Sequence, residues 1–148
     1  MKELSQKLLS VVDAAEPKLR HLSGPETTQP TLKGGWSCKQ VLGHLIDSAS
    51  NNHQRFVRAT LQDALEFPGY DQDGNVRVQE FQSADWLMLV NLWAAYNRFL
   101  AHVIAKLPAS KLETMCTVAT NDPVTLRFLA TDYVDHLLHH LRQIGMAE

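Results

Sequence analysis

Seven histidines occur in the chain, and three of them fall within five residues in the stretch YVDHLLHHLRQI, Tyr133 to Ile144. Neutral imidazole is the commonest protein ligand for transition metals, and two imidazoles one helical turn apart on one face recur in metal sites. Successive helix residues turn by about 100°. With His136 at zero, the apolar residues Leu126, Leu129, Tyr133, Val134, Leu137, Leu141 and Ile144 occupy an arc from roughly 20° to 160°. His140 falls inside it at about 40°, His136 lies at its edge, and His139 stands apart at about −60°. The spacing predicts an inward pair, His136 and His140.

A lone helix histidine is ordinarily a surface or hydrogen-bonded residue, and a metal requires a third ligand. His44 in VLGHLIDSASNNHQRF is the candidate. Ser48, Asn51 and Arg55 fall within about 40° of it on a helical wheel, forming a polar seam beside the apolar Val41, Leu42, Leu45, Ala49 and Phe56. Such a seam is either a solvated face or the wall of an internal cavity. Asp47 and Asn51 are placed to orient ligand imidazoles or to bind substrate. His21, His53 and His102 show no comparable pairing and read as surface or hydrogen-bonded residues. No Glu follows His136, so the HExxH protease pattern is missing, and no Glu-x-x-His pair supports a carboxylate di-iron bundle. A mononuclear three-histidine site with open positions suits Zn, Ni, Fe or Mn.

Helices must carry these residues. The first is expected from about Leu4 to Leu22, with a bend or break near Ala14 to Pro17, because a mid-helix proline removes a hydrogen bond. SGPETTQPTLKGG reads as a loop. Ser37 with Gln40 forms a capping box for the second helix, with Trp36 as a possible staple, and the helix should reach roughly Ala64. EFPGYDQDGNV reads as a loop with two turn signals. A third helix opens near Ser83 and stops before Pro108, carrying Trp86, Trp93 and Tyr96 at the spacing of core or dimer-face residues. The fourth opens with Asp122 as N-cap and Pro123 at the first position, and ends near Gly145. No strand pattern stands out. Four amphipathic helices bury their stripes most economically against one another, so the expected architecture is an all-α four-helix bundle, one domain over residues 1–148.

Composition removes several functions. Fourteen basic against sixteen acidic residues leave a formal charge of −2 with no basic run, so nucleic acid is not an expected partner. The charged amino terminus lacks the apolar core of a signal peptide and nothing is long enough to span a membrane, so a cytoplasmic location is expected. Cys38 and Cys116 make neither a disulfide framework nor a zinc pattern. Its place just after the Ser37 cap predicts a Cys38 thiol pKa lowered by the helix N-terminus, although a free cysteine is usually a small buried hydrophobe.

WSCKQVLGHLIDS with Asn51 and Arg55, followed far downstream by DYVDHLLHHLRQI, resembles the DinB-like superfamily, and within it the YfiT-type metal-dependent hydrolases and thiol transferases. The resemblance runs from Trp36 to Ile144 and rests most on the Trp36-Ser37 helix entry, the His44 to Asp47 spacing and the His136/His140 pair. It implies a four-helix bundle, often a homodimer, with a divalent metal, commonly nickel or zinc, on His44, His136 and His140. It also implies an enzyme that activates water or a low-molecular-weight thiol against a small-molecule substrate. Asp47 or His139 would relay the proton and Arg55 would bind an anionic group. The alternatives are a non-catalytic metal- or small-molecule-binding bundle, and a structural protein whose histidines are all hydrogen-bonded.

Overall fold

The computed structural model describes residues 1–30 and 35–147, and the part of the loop expectation that falls on 31–34 lies outside the described residues. Four long helices carry the fold: α1 (Lys2–His21), α3 (Cys38–Leu61), α5 (Trp86–Lys106) and α6 (Leu126–Gln143). Two short ones, α2 (Pro25–Thr28) and α4 (Gln72–Val78), lie in the segments read as loops. The bundle is therefore as expected, but its order around the axis is not the order of the chain. α1 packs on α5, α5 on α3, α3 on α6, and α6 on α1. Thus α1 and α3 stand across one diagonal and α5 and α6 across the other. His44 near the start of α3 meets His136 and His140 in the second half of α6, and Phe56 further along α3 meets Tyr133 further back on α6, so these two helices run antiparallel.

Leu8, Val12 and Leu19 of α1, Leu42, Leu45 and Phe56 of α3, Trp93, Leu100 and Ile104 of α5, and Tyr133, Val134 and Leu137 of α6 are all essentially inaccessible. Burying side chains of this size contributes about 1.5–3 kcal/mol each. Trp86 and Trp93 belong to this core, with the Trp86 indole donating to the Leu19 carbonyl at 2.8 Å. Tyr96 is half-buried and bonded to His53 at 3.1 Å.

Several boundaries move. The expected break at Pro17 is absent, and α1 continues to His21. Pro17 lies on the exposed face, as does Asp13, whose carbonyl loses its helical partner, so water can supply the missing hydrogen bond. α3 ends at Leu61 rather than near Ala64, because Ala64–Phe67 forms a strand, β1, that pairs in parallel with β2 (Met115–Val118). β2 pairs antiparallel with β3 (Val124–Thr125). Leu65 and Cys116, paired in register, turn into the core. The Asp122–Pro123 start of the last helix is displaced for the same reason: Val124 and Thr125 are held by β2, and Thr125 becomes the N-cap, accepting from Phe128 N at 3.1 Å. The first free amides of α6 are then taken by the carbonyls of Thr114 and Leu112, each at 2.9 Å. α5 opens at Trp86 with Asp85 as cap, while Ser83 sits in a preceding 3-10 turn, Phe81–Ser83. α6 stops at Gln143, before Gly145.

The Ser37–Gln40 capping box is formed in both directions, at 3.3 and 2.9 Å. One turn later Gly43 leaves room for the Phe81 ring, since a Cβ there would lie 2.2 Å from ring carbons. That contact seats the turn after α4 on α3, and with it two glutamines. Gln79 donates to both carboxylate oxygens of Asp47 at 2.9 Å, and Gln82 bridges Ser37 to the Thr28 carbonyl.

Candidate metal centre

The antiparallel pairing of α3 and α6 brings His44, His136 and His140 to one point. His136 Nε2 lies 3.3 Å from His44 Nε2 and 3.1 Å from His140 Nε2, and the three ligand nitrogens fall within 4.8 Å of one another. Three nitrogens at ~2.0–2.1 Å from a tetrahedral zinc are separated by roughly 3.4 Å, which the two contacts of His136 match, and small ring rotations bring the His44 and His140 nitrogens to the same spacing. His140 donates from Nδ1 to Gln143 Oε1 at 2.9 Å, which leaves the lone pair of the neutral ring on Nε2, facing the other two. Protons can satisfy only one of the two contacts at His136 Nε2 well. A cation at the centre would take all three lone pairs.

Burial, then the mutual repulsion of the rings, pushes His44 down to about 3; burial, then its neighbours His140 and His139, pushes His136 down to about 4. His140 moves the same way, also chiefly by burial. All three are neutral at pH 7, the form that binds metal. His44 is fully buried, its ring against Trp36 with centroids 5.1 Å apart, and its Nδ1 has no hydrogen-bond partner. The phase prediction for α6 therefore holds: His136 and His140 turn inward, while His139 is exposed and bonded to Gln143 at 3.0 Å.

A cavity of about 300 Å³ opens from His136 along the α3–α6 seam. Ser48, Asn52, Arg55, Tyr70, Asp132 and Tyr133 are among its walls, and the end of β2 at Val118 with Ala119 after it closes it. Of the residues singled out beside the ligands, Arg55 lines this space and Asp47 and His139 do not. Asp47 is buried, is held by Gln79, and has its pKa raised chiefly by desolvation. Asn51 turns back to the Asp47 carbonyl at 3.0 Å, and the neighbouring Asn52 takes the place on the cavity. A signal for Asn52 was present: on the wheel with His44 at zero it falls at about 80°, amid the apolar arc, where a polar residue calls for a reason. Tyr70 and Asp132 carried no such signal. Tyr70 comes from a turn, and Asp132 is exposed along one edge. The Cys38 thiol is buried, and desolvation pushes its pKa up, outweighing the helix N-terminus. A larger cleft, about 580 Å³, lies on the far side of Trp36 and contains none of the three histidines.

The family model of the DinB superfamily matches residues 6–144. The chain belongs to the DinB superfamily. Two proteins it is similar to are "Putative metal-dependent hydrolase YfiT" of Bacillus subtilis (strain 168), 24% identical over 97% of this chain and 83% of its own, and "Putative metal-dependent hydrolase" of Bacillus pumilus (strain SAFR-032), 23% identical over 93% and 79%. The solved structure of Bacillus subtilis YfiT, described as an unusual four-helix bundle, superposes with a TM-score of 0.80 at 23% identity, covering 97% of this chain and 85% of that one. A mutant of a mycothiol-dependent maleylpyruvate isomerase gives 0.79 at 12% identity, covering 97% of this chain and 60% of that one. These likenesses establish the four-helix-bundle fold of the chain. No described helix is long and apolar enough to cross a membrane.

Proposed function

We propose that this DinB-superfamily protein is a metal-dependent enzyme, a hydrolase or a transferase of a low-molecular-weight thiol, with a divalent ion on His44, His136 and His140. The observation that carries this reading is the convergence of three neutral Nε2 atoms on one point at the mouth of a polar cavity. An all-imidazole set suits Zn or Ni first, with Fe or Mn as weaker fits. A divalent ion held there supplies the Lewis acidity that makes a nucleophile of water or a thiol at neutral pH.

The chain's own residues do the rest. Gln143 fixes the His140 ring, and Trp36 with the buried face of α3 shields His44 from water. Asp132, one turn before His136, is the carboxylate on the cavity wall and serves as proton acceptor in this reading; burial, then Asp135, raises its pKa. It takes the role for which Asp47 and His139 are poorly placed. The names of both Bacillus relatives and of the mycothiol-dependent isomerase support a metal- or thiol-linked reaction on a small molecule. The working unit is proposed to be a homodimer, in keeping with Leu92 and Phe99, about half exposed two turns apart on α5.

Elemental analysis of untagged protein should find about one equivalent of metal per chain and nearly none in His44→Ala. A panel of hydrolysable esters and amides, and of electrophiles with thiols, should show turnover that His44→Ala abolishes and Asp132→Asn lowers without metal loss. Metal far below one equivalent in the wild type would sink the reading.

A further inference from the structure

Arg55 is the charged group on the cavity that the fold leaves unexplained. Its Nε is buried with no hydrogen-bond partner, and its Nη1 reaches only Asn52 Oδ1, at 3.4 Å. The guanidinium stacks on Phe67, 5.3 Å from the ring centroid, and joins none of the ion pairs among the described residues. A guanidinium keeps its charge at any ordinary pH, so a half-buried one with spare donors is a site that awaits an anion. Tyr70 and Asp132 act on it electrostatically without closing a pair. The stacking on Phe67 holds the planar fork in place before anything binds.

We propose that Arg55 receives the carboxylate end of the substrate while the other end of the same molecule presents its reacting atom to the three histidines. This rests on the metal reading above. The planar fork matches a carboxylate bidentately, and Ser48, Asn52 and Tyr70 offer further polar contacts along the wall. On the lining itself Arg55 is the cation and Asp132 the carboxylate facing it, while Arg58 shares the Phe67 ring outside the lining, a balance that favours a monoanion over a dianionic phosphate. The helix sets the length. His44 and Arg55 are eleven residues apart on α3, about 16 Å of axis, and the Arg55 side chain folds back toward Asn52, three residues earlier. The gap from the histidine centre to the guanidinium is thus on the order of 10 Å. The substrate class is a small acid whose carboxylate is several bonds from the reacting atom, rather than a carboxylate directly beside it.

The test uses the full chain loaded with Co(II), with thiols as probes and the sulfur-to-cobalt absorption as readout. 6-Mercaptohexanoate should bind at least about tenfold tighter than uncharged 6-mercaptohexan-1-ol, the gain expected of one charge-assisted pair. Arg55→Gln should bring the preference below about twofold, with cobalt content and affinity for the alcohol unchanged. Asn52→Asp, which sets a carboxylate against Arg55, should do the same and serves if Arg55→Gln folds poorly. Equal affinities in the wild type, or a preference that survives both substitutions, overturn the proposal and leave the metal reading standing. Failure to take up cobalt overturns both.

Discussion

The α1–α5 and α3–α6 interfaces are built from similar helices and treat their polar groups in opposite ways. Between α1 and α5 the polar groups that cross are closed: Ser5 Oγ donates to the Ala101 carbonyl at 2.7 Å, Trp86 to Leu19, and Arg98 bridges Asp13 and Glu16, with the buried Trp93 Nε1 of α5 the exception that has no partner. Along α3–α6 the sequence places three imidazoles nitrogen to nitrogen, and leaves His44 Nδ1 and Arg55 Nε buried without partners. Unpaired buried groups cost about 1–3 kcal/mol each, so one interface supplies stability and the other gives some up. Local rules broken on one face of an otherwise consistent fold are what a binding site looks like.

Substitutions on the two interfaces should therefore separate metal binding from stability. The largest expected effect is His136→Ala, which removes the central nitrogen of the cluster: metal uptake, measured by elemental analysis and by competition with a chelator, should fall by orders of magnitude. The metal-free form should lose little in urea denaturation. A variant that still binds one equivalent tightly would break the contrast.

On the other interface, Leu8→Ala empties a fully buried site and should cost about 2–5 kcal/mol of unfolding free energy, with metal affinity unchanged. Gly43→Ala lies between the two regions. Its methyl group must displace the Phe81 ring, at a cost of about 1–3 kcal/mol by denaturant titration, and should loosen the turn that carries Gln79 to Asp47.

Acid should sharpen the comparison. His44 and His136 titrate near 3 and 4 when folded but near ~6.5 when unfolded, so below that value the unfolded chain binds more protons. The stability of metal-free protein should be full above pH ~6.5 and fall steadily toward pH ~4, by at most about 1.4 kcal/mol per pH unit for each ring. The denaturation midpoint followed from pH 7.5 to 4.5 should flatten in part in His44→Gln, which leaves His136 and His140 to titrate, and an equal slope there would remove His44 as one of its sources. The smallest effect belongs to the surface: Arg98→Ala should cost no more than about 1 kcal/mol, because its pairs with Asp13 and Glu16 are partly solvated.

Local chemistry alone determined a good deal of this protein. Apolar phase marked the four long helices, the Ser37–Gln40 box set the start of α3, and the same phase split the histidine cluster into His136 and His140 facing in and His139 facing out. These features were legible because each depends on residues within a turn or two of one another. Tertiary structure alone decided what depends on distant partners. Four-residue strands are too short to show a period, and they exist because Leu65 and Cys116 pair across fifty intervening residues; that pairing ended α3 early and moved the cap of α6 from Asp122 to Thr125. The diagonal order of the bundle, the choice of Asn52 over Asn51, and the arrival of Tyr70 and Asp132 beside Arg55 are likewise set by which helix faces which. His44 joins both kinds of knowledge: its residue type and its seam could be read from the chain, but the 3.3 Å that brings it to His136 is a property of antiparallel α3–α6 packing.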